Sequence, residues 1–311
     1  VEWILARWLG YAALAVLVGA ALTGTVLVPR LARRGPADDT LPHDTARLAL
    51  GAALALIPAS VLRLVDQLSA LQSPGDAPWT GLDALLRHTT WGAGFVAQAA
   101  LHLVATLAAW RLVRAGGSRV AWGTLVAASL ALCATPSLQG HAIAAEGREW
   151  RAVASDVAHV VGASAWLGTL VAIGWLTLAV RGDGVRAGDA TFEAERARRD
   201  ARLRALTALV PPVALGGAAL LVAAGVASSL VHLTAVADLW TSEWGRYLAV
   251  KSALAAVVLA LGARNWRVTV PRALAGAPVQ PLRRTLAIEL AVAALVLLVT
   301  AILVVTPPPG E

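Results

Sequence analysis

The sequence predicts an all-α protein, a polytopic bundle of about eight membrane-crossing helices, and three observations carry that reading. Hydrophobic residues make up 58% of the chain, its mean hydropathy is +0.69, and 14% of residues are charged, against about 25% in a soluble domain. Apolar runs recur along the whole length, each close to the roughly 20 residues that span a hydrocarbon core about 30 Å thick. Between the runs lie short arginine-rich connections, the charge placement expected of membrane loops. The chain therefore reads as one integral membrane domain over 1–311, embedded in a lipid bilayer.

The first run, Trp8 to Val28, ends at Pro29 and Arg30; it is too long for a signal-peptide core. A polar loop, RLARRGPADDTLPHDTAR, carries a solvated His43 and leads to a second run from Leu48 to Leu71. Within it Arg63 and Asp66 sit three apart, a spacing at which they pair on a helix. The segment from Gln72 to Gly92 has turn residues Pro74, Gly75 and Pro78 and room for a short surface helix. The third run, Trp91 to Trp110, has His88 at its mouth and His102 deeper inside, where a lone imidazole is read as a hydrogen-bonded core residue. The fourth, Val120 to Thr135, halts before Pro136.

The fifth run extends from Arg151 to Val180, and a mixed-charge segment follows in which Glu193 to Arg204 reads as a solvent-facing helix. The sixth, Ala205 to Leu233, contains Pro211-Pro212 and Gly216-Gly217, expected to kink it and allow close helix contact, and it ends with Ser228, Ser229 and His232. The seventh, Trp244 to Val268, includes Lys251, and the eighth, Leu286 to Val305, includes Glu289. Both charged groups read as coupling charges, or else as an intramembrane ion pair or snorkelling end residues.

Eight crossings put alternate loops on one side, and Arg30, Arg33, Arg34, Arg111, Arg114, Arg119, the arginines from Arg181 to Arg204, and Arg264, Arg267, Arg272, Arg283 and Arg284 all fall there. The positive-inside rule makes that side cytoplasmic and both termini periplasmic. Trp79, Trp150, Trp240 and Trp244 share the terminal side, as an interfacial aromatic belt would. The net charge of +7 is explained by this loop bias, so nucleic acid is excluded as a partner. Cys133 is the lone cysteine, which excludes a disulfide framework and thiolate clusters. Methionine is absent even at position 1, which reads as a GTG start written as valine or as a chain lacking its true beginning, and it removes every thioether ligand.

The stretch GHAIAAEGREWRAVASDVAHVVGASAWLGTL, Gly140 to Leu170, concentrates the chemistry. It sets His141, Asp156 and His159 beside an apolar helix. Asp156, His159, Gly162, Ala163 and Trp166 recur at three- to four-residue spacing, hence on one helix face. Ionisable groups in a span cost about 2.5–3.5 kcal/mol on insertion scales, so that face is expected to point into the protein and to mark a cavity, an ion path or a partner charge. The plain alternative for Asp156 is a carboxylate favoured by a helix N-terminus. His88, His141, Asp156, His159 and His232 all fall near the same membrane face.

A weak internal repeat relates 1–140 to 150–311. Trp8-Leu9-Gly10 aligns with Trp166-Leu167-Gly168, Trp91-Gly92 with Trp244-Gly245, and Thr135-Pro136 with Thr306-Pro307. Two tandem four-helix halves would place a site between them.

Several motifs together resemble the copper resistance protein D family of bacterial inner-membrane proteins. They are GHA at Gly140 to Ala142, D-x-x-H followed by WLG from Asp156 to Gly168, WGRYLAVKSAL from Trp244 to Leu254 with LGARN after it, and LRRTLAIEL with a terminal TPPP. The resemblance implies an eight-span bundle concerned with copper uptake or tolerance, working with a periplasmic copper-binding protein. It also implies His141, Asp156 and His159 as metal-handling positions. His88 and His232, placed on the same face by the arginine bias of the loops, are further candidate ligands. The family pattern departs here in the missing methionine, because imidazole accepts several metals whereas thioethers select Cu(I).

The leading reading is a copper permease, not an enzyme. Neither a P-loop nor a phosphorylation motif is visible, so transport would be passive or ion-coupled. Two alternatives remain open from the sequence: a haem-b electron carrier with histidines from different spans as axial ligands, and an assembly subunit whose polar groups are helix-packing contacts.

Overall fold

Eight helices are long and apolar enough to cross a membrane in the computed structural model, which describes residues 2–34, 40–139, 149–178, 190–232, 235 and 237–307. Span 1 is Trp3–Ala32, span 2 Thr40–Ser69, span 3 Thr90–Ala115 and span 4 Arg119–Leu138. Span 5 is Trp150–Thr177, span 6 Pro211–Leu230, span 7 Glu243–Leu274 and span 8 Gln280–Leu303. No strand occurs among the described residues. The all-α polytopic bundle expected from composition is the fold observed.

The two larger apolar clusters among the described residues hold the bundle together. The first draws Leu17 and Val18 of span 1, Leu56 of span 2, Ala105 and Leu112 of span 3 and Leu125 of span 4 into one core. The second joins Leu27 of span 1 to Ile173 and Leu176 of span 5, Val258 of span 7 and Leu286 of span 8. Span 1 thus belongs to both. Small residues let it do so: a Cβ on Gly19 would overlap the backbone of Gly168 in span 5. Close backbone approach of this kind is how spans associate where lipid supplies no hydrophobic drive between helices. Apolar side chains such as Ile57, Leu103, Leu107, Val226 and Leu295 point outward, as a surface facing lipid requires.

Several boundaries differ from the sequence reading, each for an identifiable reason. Span 2 begins at Thr40 instead of Leu48, because the polar segment before Leu48 is helical and is tied down. Arg202 donates to the Thr40 hydroxyl at 2.8 Å and to the Leu176 carbonyl at 2.9 Å, and lies 3.6 Å from Asp44. His43 of this segment is exposed, as expected. Pro211-Pro212 does not kink a long sixth helix but opens span 6, after a separate helix Ala190–Thr207 has ended. Proline is suited to a first turn, where its missing N–H costs nothing.

The helix Ala190–Thr207 is not simply solvent-facing. Leu203 and Leu206 are buried in the second cluster, Arg204 donates to the carbonyls of Ala273 and Ala277 at 3.0 and 3.2 Å, and Asp200 accepts from Arg283 at 2.6 Å. It clips together the ends of spans 2, 5, 7 and 8 on the side away from the termini. Arg63 and Asp66 do not pair with each other in the way their spacing predicted: Asp66 binds Arg7 of span 1 at 3.1 Å. Trp79, Trp150 and Trp240 are exposed, but Trp244 is buried beside Leu248 and Leu303, so it is a packing residue and not part of the belt.

Among the described residues, three spans contain a widened π-helical turn: Thr23–Leu27 in span 1, Ser164–Gly168 in span 5 and Asn265–Thr269 in span 7. Such turns re-aim side chains and recur at functional sites. Here two of them position Trp166 and Asn265.

Candidate metal site

The polar face of span 5 runs along span 6, with one contact per helical turn. The Ser228 hydroxyl donates to Asp156 Oδ1 at 3.2 Å. One turn on, the His159 ring lies against Gly225, where a Cβ would stand 3.2 Å from Nδ1. At the next turn a Cβ on Gly162 would come within 2.6 Å of the Leu221 backbone nitrogen and 2.7 Å of the Gly217 carbonyl oxygen. A Cβ on Gly217 would in turn meet Trp166 at 3.0 Å. The spacing of Asp156, His159, Gly162 and Trp166 therefore does define one face, and that face is directed at a neighbouring span. Glycine at 162, 217 and 225 makes the approach close enough for the imidazole to be enclosed.

The His159 ring interacts with the Leu221 backbone, but its buried Nδ1 makes no hydrogen bond of good geometry among the described residues. A neutral imidazole with one nitrogen unengaged has a lone pair available to a metal ion. Lys251 of span 7 lies within electrostatic range of both Asp156 and His159, and Tyr11 of span 1 within range of Asp156. By helical rise Asp156 and His159 stand about 9 and 13 Å in from the start of span 5, and Lys251 about 12 Å in from the start of span 7. Spans 1, 5, 6 and 7 thus each contribute a polar group to this face. Asp156 is a capped and compensated carboxylate, not a bare helix-start residue.

Next to this face is a small polar pocket between spans 1 to 4, lined by Arg7, Tyr11, Ser60, Arg63, Gln98 and His102 among others. His102 is buried there, 7% exposed. The Ser60 hydroxyl sits 2.8 Å from the Leu56 carbonyl and 3.4 Å from His102 Nδ1. With its own proton on Leu56, that oxygen accepts from Gln98 Nε2 at 3.0 Å and from the ring. Gln98 Oε1 accepts from Gln139 Nε2 at 2.7 Å. The expected role of His102 as a hydrogen-bonded core residue is what the geometry shows. Gln98 and Gln139 are polar groups that the sequence motifs do not single out, although Gln98 and His102 sit four apart in an otherwise apolar run and so share a face.

The remaining expected ligands are placed as follows. His88 is exposed at the end of the short helix Leu82–His88, the surface helix anticipated before span 3. His141 lies outside the described residues, in the connection between spans 4 and 5, and the His232 side chain, at the end of span 6, is also outside them. Among the described residues no group of three or more His, Cys, Asp or Glu side chains stands close enough to hold a metal ion. The described part of the site is thus one imidazole, one carboxylate and the hydroxyl that holds it.

Residues 1–152 match the family model described as copper resistance protein D-like, N-terminal domain, and residues 211–303 match the one described as copper resistance protein D. The chain belongs to the copper resistance protein D family. No curated protein and no solved structure matches it significantly. Membership makes this a copper resistance-related membrane protein. His88 and His141 lie within the N-terminal match and His232, Lys251 and Glu289 within the other, while Asp156 and His159 occupy the stretch between the two.

Proposed function

We propose that the chain is a copper permease of the bacterial inner membrane that takes copper in from the periplasmic side in support of copper tolerance. The observation that carries this reading is the unengaged, buried Nδ1 of His159, enclosed at the contact of spans 5 and 6 beside a held carboxylate. His159 serves as a ligand through that nitrogen. Asp156, fixed by Ser228, offsets the ion's charge or orients a ligating imidazole, as carboxylates around metal sites do. His141, in the connection before span 5, supplies a second imidazole, and His88 and His232 are further ligands for the incoming ion. Lys251 moderates the charge of Asp156, so that the site need not carry a full negative charge when empty.

The arginine bias of the loops supports periplasmic termini and hence a periplasmic entrance. A periplasmic copper-binding protein is the expected donor. Without any nucleotide-binding motif, movement is down the copper gradient or coupled to another ion. The test is copper accumulation by membrane vesicles containing the protein. Wild type accumulates copper above empty vesicles and His159→Ala does not; equal accumulation by the two would remove His159 from the path.

A further inference from the structure

Glu289 is the most deeply buried charged residue described, 1% exposed, on span 8. Its Oε2 accepts from Asn265 Nδ2 of span 7 at 2.8 Å. Among the described residues its Oε1 has no partner, and neither does Asn265 Oδ1, on a side chain that is itself 8% exposed. The two orphans are both acceptors, one from each member of a single bonded pair. The pocket around them is tight: a Cβ on Gly262 would meet Glu289 Oε1 at 3.1 Å and the Trp166 ring at 3.2 Å.

No cation answers the carboxylate. Glu289 makes no ion pair among the described residues, and the charged groups on the helices packed against it are engaged or turned away. On span 1, Arg7 binds Asp66 and Tyr11 lines the pocket with Arg63. On span 7, Lys251 lies in range of Asp156 and His159, Arg264 is exposed, and Arg267 lies over the Trp266 ring. On its own helix Arg283 binds Asp200 and Arg284 is exposed. The stretch of span 5 from Ser164 to Leu178 has no titratable side chain. A buried carboxylate without such a partner is costly. One proton answers the carboxylate's defect: on Oε1 it turns that oxygen into a donor, and the bonded neighbour's amide oxygen is an acceptor still without a donor among the described residues.

We propose that Glu289 and Asn265 form a proton-binding site in the membrane interior, loaded by formation of the O–H bond at Glu289 Oε1 with a proton from water and emptied by its return. By helical rise the pair lies about 14 Å from the ends of spans 7 and 8 on the side away from the termini, opposite the side from which His159 is approached. The backbone and Cβ of Trp166 lie against Gly217 beside the metal face, and its ring lies against the Gly262 position beside Glu289, so one residue adjoins both sites. A proton taken up here supplies the coupling ion for the ion-coupled form of such a permease. That last use rests on the copper reading; the proton site does not.

Infrared spectroscopy on copper-free protein in lipid tests it. Wild type shows a protonated-carboxyl carbonyl band at neutral pH that shifts in D2O; Glu289→Gln, which keeps an amide hydrogen-bonded to Asn265, loses it, and Asn265→Ala moves it. Identical spectra for wild type and Glu289→Gln overturn the site. A band that fails to shift in D2O makes Glu289 a permanently sealed acid and overturns it as a site that a proton enters and leaves. Because no copper is present, either failure is separate from any failure of copper uptake.

Discussion

Gly225 of span 6 stands directly against the ring of His159, where a Cβ would lie 3.2 Å from Nδ1 and 3.3 Å from Cε1. The imidazole is therefore held by the absence of a side chain opposite it as much as by its own helix. Gly225→Ala is expected to push the ring aside, weakening copper binding while the bundle survives, since overpacking of this size costs about 1–3 kcal/mol. Titration of copper together with thermal unfolding checks this. Unchanged affinity would mean that ring position does not matter to the metal.

His102 makes its contacts within the first four spans, to Ser60 and through it to Gln98 and Gln139. His102→Ala should leave copper stoichiometry unchanged and lower stability by about 1–3 kcal/mol, the cost of stranding a buried polar partner. The purified protein should show no Soret band, because a haem needs axial ligands that this histidine does not offer with a second one. Loss of copper in His102→Ala, with His159→Ala unaffected, would move the site into the first half of the bundle.

Much of this was legible in the sequence because membrane helices declare themselves by length and apolarity, and because a three- to four-residue rhythm of Asp156, His159, Gly162 and Trp166 survives inside an apolar run. Partners across helices were not legible. Asp66 chose Arg7 over Arg63, and Glu289 met Asn265 from another span, since such pairings depend on how helices rotate against each other and not on spacing along one of them. Nor was the clip formed by Ala190–Thr207: its mixed charge reads as a solvated surface, while Arg202 and Leu206 turn inward on the face that the ends of spans 2, 5, 7 and 8 leave open.

Orientation follows from arginine placement. A reporter fused after Glu311 should be active only if it is periplasmic-competent, because the loops on the other side hold the cationic bias. Activity of a cytoplasm-only reporter at that position would turn the metal face toward the cytoplasm.

Asp156 and His159 should behave as one unit. Asp156→Asn is expected to weaken copper binding about 10- to 100-fold, the usual effect of removing a supporting carboxylate. In combination with His159→Ala it should add little, because its benefit is felt through the bound imidazole or ion. Additive losses in the double variant would show two independent contributions.

The most direct test of the account is an equilibrium copper titration of the purified protein and its His159→Ala variant in the same lipid. The account predicts saturable binding by wild type and its loss in the variant, with helical content and unfolding temperature of the two alike. Wild-type affinity in His159→Ala would contradict it and return the span 5 face to a role in helix packing alone.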